Sequence, residues 1–82
     1  MGEQSGDVRT LLEQIVKSLV DEPDQVSVSQ IDGETTVLEL TVAPGDLGKV
    51  IGRQGRVAKA LRSLISAAGI RAHKRFALEI VE

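Results

Sequence analysis

Leu47-Gly48-Lys49-Val50-Ile51-Gly52-Arg53-Gln54-Gly55-Arg56-Val57 is the stretch on which the fold turns. Two glycines bracket two polar residues, and an amphipathic segment lies on each side. Upstream, Asp46–Ile51 has room for barely two helical turns. Downstream, Val57, Leu61, Leu64, Ile65 and Ala68 share one face at three-and-four spacing, with Arg56, Lys59, Arg62 and Ser63 on the other, the pattern of a helix with one apolar side. Gly69 stands where the C′ residue of that helix is expected. Glycines between two helices supply backbone angles closed to other residues and let a phosphate approach without meeting a Cβ. The second helix starts at the loop, so its free N–H groups and positive dipole end face that approach. Arg53 sits at the tip, flanked by Lys49 and Arg56. Alone, two glycines at this spacing mean no more than a tight turn, so the flanking elements decide.

Working outward, the chain before the loop has two periods. Val8, Leu11, Leu12, Ile15 and Leu19 recur along one helical face, widened by Val16 and Val20. Ser5 or Asp7 is the expected N-cap, residues 1–6 are an expected flexible tail, and the domain is expected over 7–82. Asp21-Glu22-Pro23-Asp24 reads as a loop. The period then becomes two. Val26 and Val28 alternate with serines up to Ile31, Asp32-Gly33 is a hairpin signal, and Thr35–Val42 returns with Leu38, Leu40 and Val42 on one face. Pro44 suits the first turn of the next helix. After a short link over 68–73, Phe76, Leu78 and Ile80 alternate with Ala77, Glu79 and Val81 as a closing strand. The order is helix, strand, strand, helix, helix, strand. Its expected architecture is α+β, a three-stranded mixed sheet with three helices on one face. The first two strands would pair as an antiparallel hairpin, and the third would lie parallel beside the second.

Charge is divided along the chain. Residues 1–42 carry nine acidic and two basic side chains, whereas residues 43–76 carry eight basic ones against Asp46 alone. A net charge of −2 therefore conceals a basic half suited to a polyanionic partner. Phe76 is the only aromatic residue, which argues against RNA folds that stack bases on exposed rings. There is no cysteine and one histidine, His73, beside Lys74 and Arg75. Neither a metal site nor an acid/base pair follows, and an enzyme is not expected. Gly45-Asp46-Leu47-Gly48-Lys49 lacks the spacer and the following Ser/Thr of a nucleotide-binding P-loop. No cofactor or small-molecule substrate is implied. With Gly2–Asp7 polar and no apolar run of membrane length, the expected location is the cytoplasm, with no membrane partner.

Val50-Ile51-Gly52-Arg53-Gln54-Gly55 followed by Arg56-Val57-Ala58 resembles the V-I-G-x-x-G signature of KH domains. The element order resembles the type II KH arrangement. Over about residues 8–82 the chain is similar to the KhpA family of small bacterial single-KH RNA-binding proteins, including Leu19–Asp24, Val42–Lys49 and the terminal Glu79-Ile80-Val81-Glu82. The resemblance implies single-stranded RNA binding through a G-x-x-G phosphate clamp. It also implies an RNA chaperone or post-transcriptional regulator linked to cell elongation or division, a homodimer, and a KhpB-type KH protein as heteromeric partner. Carried over by position, the clamp falls on Gly52, Arg53, Gln54 and Gly55, with Gly48, Lys49, Arg56 and Lys59 beside it. The base groove falls on Ile51, Val57 and Ala58, and on Leu38 and Leu40 of the second strand. An alternative stands beside this reading: a protein–protein or dimerisation module, for which Ala60 and Ala67 off the main stripe of the second helix would form a seam.

Overall fold

The computed structural model describes residues 8–82; the expected tail and the N-cap at Ser5 or Asp7 lie outside the described residues. Helix α1 spans Val8–Leu19, strand β1 Ser27–Ile31, β2 Thr36–Thr41, helix α2 Leu47–Ile51, α3 Arg56–Arg71 and β3 Phe76–Ile80. Short 3₁₀ turns at Pro23–Gln25, Pro44–Asp46 and Arg53–Gly55 join them, two of them begun by a proline whose fixed φ suits a helical first turn. No helix among the described residues is long and apolar enough to cross a membrane.

The sheet order is β1-β2-β3, antiparallel then parallel, as the element order predicts. Leu38 and Leu40 on the central strand are fully buried, beside Leu78 of β3 and Val28 of β1. Leu12 and Val16 of α1, Val50 of α2, and Leu61 and Ile65 of α3 complete the core. Each fully buried leucine contributes roughly 1.5–3 kcal/mol, and Phe76 packs against the edge of this otherwise aliphatic core. On the opposite face of the sheet lie Ser27, Ser29, Glu39, Thr41 and Glu79, with Glu39 and Glu79 directly adjacent in register. Ile31, Val37 and Ala77 share that face, which is therefore mixed, with acidic residues as its only charges.

Four expectations change. In α1 the core line is Val8, Leu12 and Val16, spaced by four, while Leu11 and Leu19 are exposed on its flank. In α3, Leu64 is 52% exposed rather than buried. The β1–β2 hairpin is wider than a two-residue turn: Ile31 pairs with Val37, and neither Asp32 nor Gly33 has the positive φ of a tight primed turn. On its other side Thr36 is joined to β3: its N–H donates to Arg75 O (2.8 Å) and it pairs with Phe76. Finally, α3 runs through Gly69 to Arg71.

Gly69 has a packing role instead. A Cβ there would lie 2.7 Å from Lys74 O and 2.8 Å from Phe76 Cδ2. The helix ends at Arg71 with Ala72 as its C-cap, and the chain beyond closes it: His73 N–H donates to Ile70 O (3.1 Å) and Lys74 N–H to Gly69 O (2.8 Å), the paired bonds of a Schellman motif. His73 is its left-handed C′ residue, at φ 59°, a conformation that costs a non-glycine residue about 1 kcal/mol. His73→Gly should therefore raise stability by about 1 kcal/mol, or roughly 4–8 °C in melting temperature. A melting temperature at or below wild type in a thermal scan would contradict this.

Candidate functional site

The glycine loop joins the C-terminus of α2 to the N-terminus of α3. Gly52 takes φ 76°, ψ 170°, a region essentially reserved for glycine. A Cβ on it would stand 2.4 Å from Val57 Cγ2 and 2.9 Å from Val57 N. Gln54 (58°, 25°) and Gly55 (73°, 17°) are left-handed, and Arg56 returns to right-handed helix (−66°, −38°). This change of hand reverses the chain sharply between the two helices, and Arg56 N–H closes the turn by donating to Arg53 O. Gly52 N–H donates to Gly48 O (2.8 Å), which ties the loop to α2, and Gly55 N–H donates to Gly52 O (3.1 Å), which closes the loop on itself. No side chain caps the N-terminus of α3, so the positive end of the helix dipole opens at the loop.

Around this backbone the cations differ in role. Arg53, Gln54, Arg56 and Lys59 are exposed. Arg56 Nη2 donates to Gln54 Oε1 at 3.3 Å and braces the loop tip. Arg53, Lys59 and Arg62 form no ion pair among the described residues. Lys49 is engaged: its Nζ lies 3.2 Å from Asp21 Oδ2 and 3.5 Å from Asp46 Oδ1. Those carboxylates, first the hydrogen bond to Asp21, hold its ammonium above its ordinary value of 10.5.

Asp46, the single acid of the basic half-chain, is a residue whose role sequence reasoning missed. Its side chain is 4% exposed and accepts the N–H groups of Asp21 (3.1 Å) and Glu22 (3.0 Å). It thereby fastens the turn after α1 to the start of α2. Burial pushes its carboxyl up, but those two N–H donors and Lys49 outweigh burial and hold it below the ordinary 3.8. A carboxylate followed at i+3 by lysine was the only signal available. Its long-range donors are backbone groups, which no side-chain pattern reveals.

The expected apolar groove is only partly assembled. Ile51 and Val57 are half-buried beside the loop, Gly48 is exposed, and Ala58 is 5% exposed and offers little surface. Leu38 and Leu40 have no exposure and cannot floor a groove. They face inward because the period-two face that carries them is the one the helices cover.

An α-β-β-α-α-β chain whose last two helices are joined by Gly-x-x-Gly, and whose last strand lies parallel to the second, is a type II KH fold. The model of the KhpA/KhpB KH domain family matches residues 9–80, and the chain belongs to that family. Among its relatives, the RNA-binding protein KhpA of Clostridium acetobutylicum is 56% identical over 75 residues, covering 90% of this chain and 100% of the relative. That of Aquifex aeolicus is 50% identical over 76 residues, covering 92% and 96%. That of Chlamydia trachomatis is 43% identical over 76 residues, covering 92% and 97%. Among solved structures, Era of Aquifex aeolicus bound to GDP and aluminium fluoride superposes with a TM-score of 0.64 at 15% identity, over 98% of this chain and 31% of that one. Era in complex with a 16S ribosomal RNA segment gives 0.62 at 16% identity, over 89% and 28%. At that identity the likeness is one of fold.

Proposed function

We propose that this chain binds single-stranded RNA, holding the backbone of about four nucleotides at Gly52–Gly55 and resting bases against Ile51 and Val57. The observation that carries the reading is the loop itself. A bare glycine Cα, left-handed residues and an uncapped helix N-terminus converge beside unpaired Arg53 and Lys59. The relatives are RNA-binding proteins, which supports the same ligand. Within the cell the protein would act in the cytoplasm as an RNA chaperone or post-transcriptional regulator linked to elongation or division. It would act as a homodimer or with a KhpB-type partner. Lys49 contributes less than its position implies, because Asp21 and Asp46 already hold it.

The test replaces Arg53 and Gln54 together by aspartate. Aspartate tolerates the left-handed angles of position 54, so the fold should survive. Two charge-assisted contacts become repulsive, and affinity for a short RNA should fall by about a hundredfold or more. Gly48→Ala separates stability from binding. Gly48 lies in α2, exposed, and a Cβ there would meet nothing within 4 Å. Alanine should therefore raise stability by up to about 1 kcal/mol and yet weaken RNA binding by crowding the approach. Unchanged affinity in the Arg53→Asp/Gln54→Asp protein would sink the clamp. It would transfer the function to the exposed α3 face of Ala60, Leu64 and Ala67, the surface that favours an interaction module.

A further inference from the structure

At the opposite end of α3 from the glycine loop lies an open depression of about 880 Å³. Its α3 residues, Ser66 and Ile70, lie ten and fourteen positions beyond Arg56, about 15 and 21 Å at 1.5 Å per residue. Ser66 and Ile70 of α3 form one side of it, and Gln30, Thr36 and Phe76 of the sheet form the base. Three features mark it as more than a surface irregularity.

The first is Thr36. It lines the depression, is 5% exposed, and its hydroxyl has no hydrogen-bond partner among the described residues. A buried hydroxyl without a partner is costly, and here it borders open space where a ligand atom could pair with it. The second is apolar surface: Ile70 is 75% exposed, and half-buried Phe76, the only phenylalanine, tyrosine or tryptophan in the chain, lines the depression with it. The third is charge. His73, Lys74 and Arg75 line the depression from the α3–β3 link, and Asp32 and Glu34 line it from the β1–β2 loop. No ion pair joins the two sets. Opposite charges that border one cavity without pairing suit a ligand that has an anionic end and an end rich in N–H donors.

A nucleotide has that polarity. We propose that the depression is a second subsite for one nucleotide of the strand bound at the glycine loop. The base lies on Ile70 and Phe76, the Thr36 hydroxyl bonds its edge, and the phosphate meets Lys74 and Arg75. Asp32 and Glu34 favour a base with an exocyclic amino group, since carboxylates accept from such donors. This proposal rests on the RNA-binding reading of the loop and extends it to a strand longer than the loop's own footprint.

Twelve- and four-residue oligocytidylates are suitable probes, each titrated into isotope-labelled full-length protein to millimolar concentration and followed by amide shifts. The longer strand can engage both sites and should bind at least about tenfold more tightly, because the second contact is then intramolecular. Thr36→Val and Lys74→Ala/Arg75→Ala should each remove most of that advantage, about five- to tenfold, and leave the four-residue strand unaffected. Thr36→Val removes an unpaired hydroxyl, so it should melt no lower than wild type, and its loss of affinity would not come from unfolding. An unchanged ratio between the two lengths in these variants overturns the subsite. Equal losses for both lengths also overturn it, because the cations would then act as a diffuse field. If the long strand leaves the amides of Thr36, Ile70 and Phe76 unshifted, the exposed Ile70 belongs to a protein contact and the nucleotide assignment falls. Arg53→Asp/Gln54→Asp should weaken both lengths. If it weakens neither, the clamp fails while the Thr36 variant still reports on the subsite.

Discussion

Gly52→Ala should lower the melting temperature by about 15 °C and abolish RNA binding. Two independent costs add. The angles φ 76°, ψ 170° are strained by about 1–3 kcal/mol for any residue with a Cβ. That Cβ also meets Val57 Cγ2 at 2.4 Å and the Val57 nitrogen at 2.9 Å, an overpacking cost of about 1–3 kcal/mol. A sum of roughly 3 kcal/mol corresponds to about 15 °C in a domain of this size. The companion variants separate the terms. Gly55→Ala has the strain but no clash, since nothing lies within 4 Å of its Cβ position, and should cost only about 1 kcal/mol. Gly52→Ala/Val57→Ala removes the side-chain clash and keeps the angle, so its own increment over Val57→Ala should be smaller than that of Gly52→Ala alone. Equal melting temperatures for Gly52→Ala and Gly55→Ala would show that the contact with Val57 has no weight.

The second large effect is expected at Asp46. Asp46→Ala leaves the N–H groups of Asp21 and Glu22 without their acceptor and Lys49 with one carboxylate in place of two. Loss of several charge-assisted bonds at a closed site should lower the melting temperature by roughly 10 °C. Asp21→Ala, which removes only an exposed partner of Lys49, should change it little. The same network sets a pH window. The folded-state value of Asp46 lies below its ordinary 3.8, so its contribution is complete above that value and is lost as pH falls through the lower folded value. Lys49 is shifted upward from 10.5, so its contribution is complete below 10.5 and is lost as pH rises beyond it. Between these limits the network is fully formed. Asp46→Asn should flatten the acid limb of stability against pH, and a wild-type limb identical to that of Asp46→Asn would refute the assignment.

What the residue pattern reveals follows the range of the interaction. The alternation of Leu38, Leu40, Phe76, Leu78 and Ile80 states which side of each strand is covered, and the parallel pairing follows from two intervening helices. The glycine loop is legible for a similar reason, because only glycine can occupy the angles found at Gly52. Contacts between residues far apart in sequence leave weaker marks. Leu64 sits at a core spacing yet faces outward, because α3 turns a narrower stripe (Ala58, Leu61, Ile65) toward the sheet. Gly69 has the position of a helix terminator, but its lack of a Cβ serves Lys74 and Phe76, which arrive from the next strand. Asp46 and Lys49 look like solvent-facing charges at i and i+3. Their importance comes from a turn 24 to 25 residues earlier. The candidate site is therefore legible in its backbone and less so in its side chains, since which cation is free depends on carboxylates elsewhere in the chain.

The parallel pairing of β2 with β3 also bears on kinetics. Leu38 meets Leu78 only after a segment of about forty residues closes, whereas the β1–β2 hairpin and the turns of α3 are local. Helices and hairpin form on microsecond scales, and non-local pairing sets the slower overall rate. The glycine loop lies inside the closing segment, between two helices that lack their full apolar partner until β3 docks. On this topology the rate-limiting step is expected to coincide with the docking of β3, the event that fixes α3 against the sheet. Before that event the chain can possess every local element of the domain and still present no ordered loop for a nucleic acid to find.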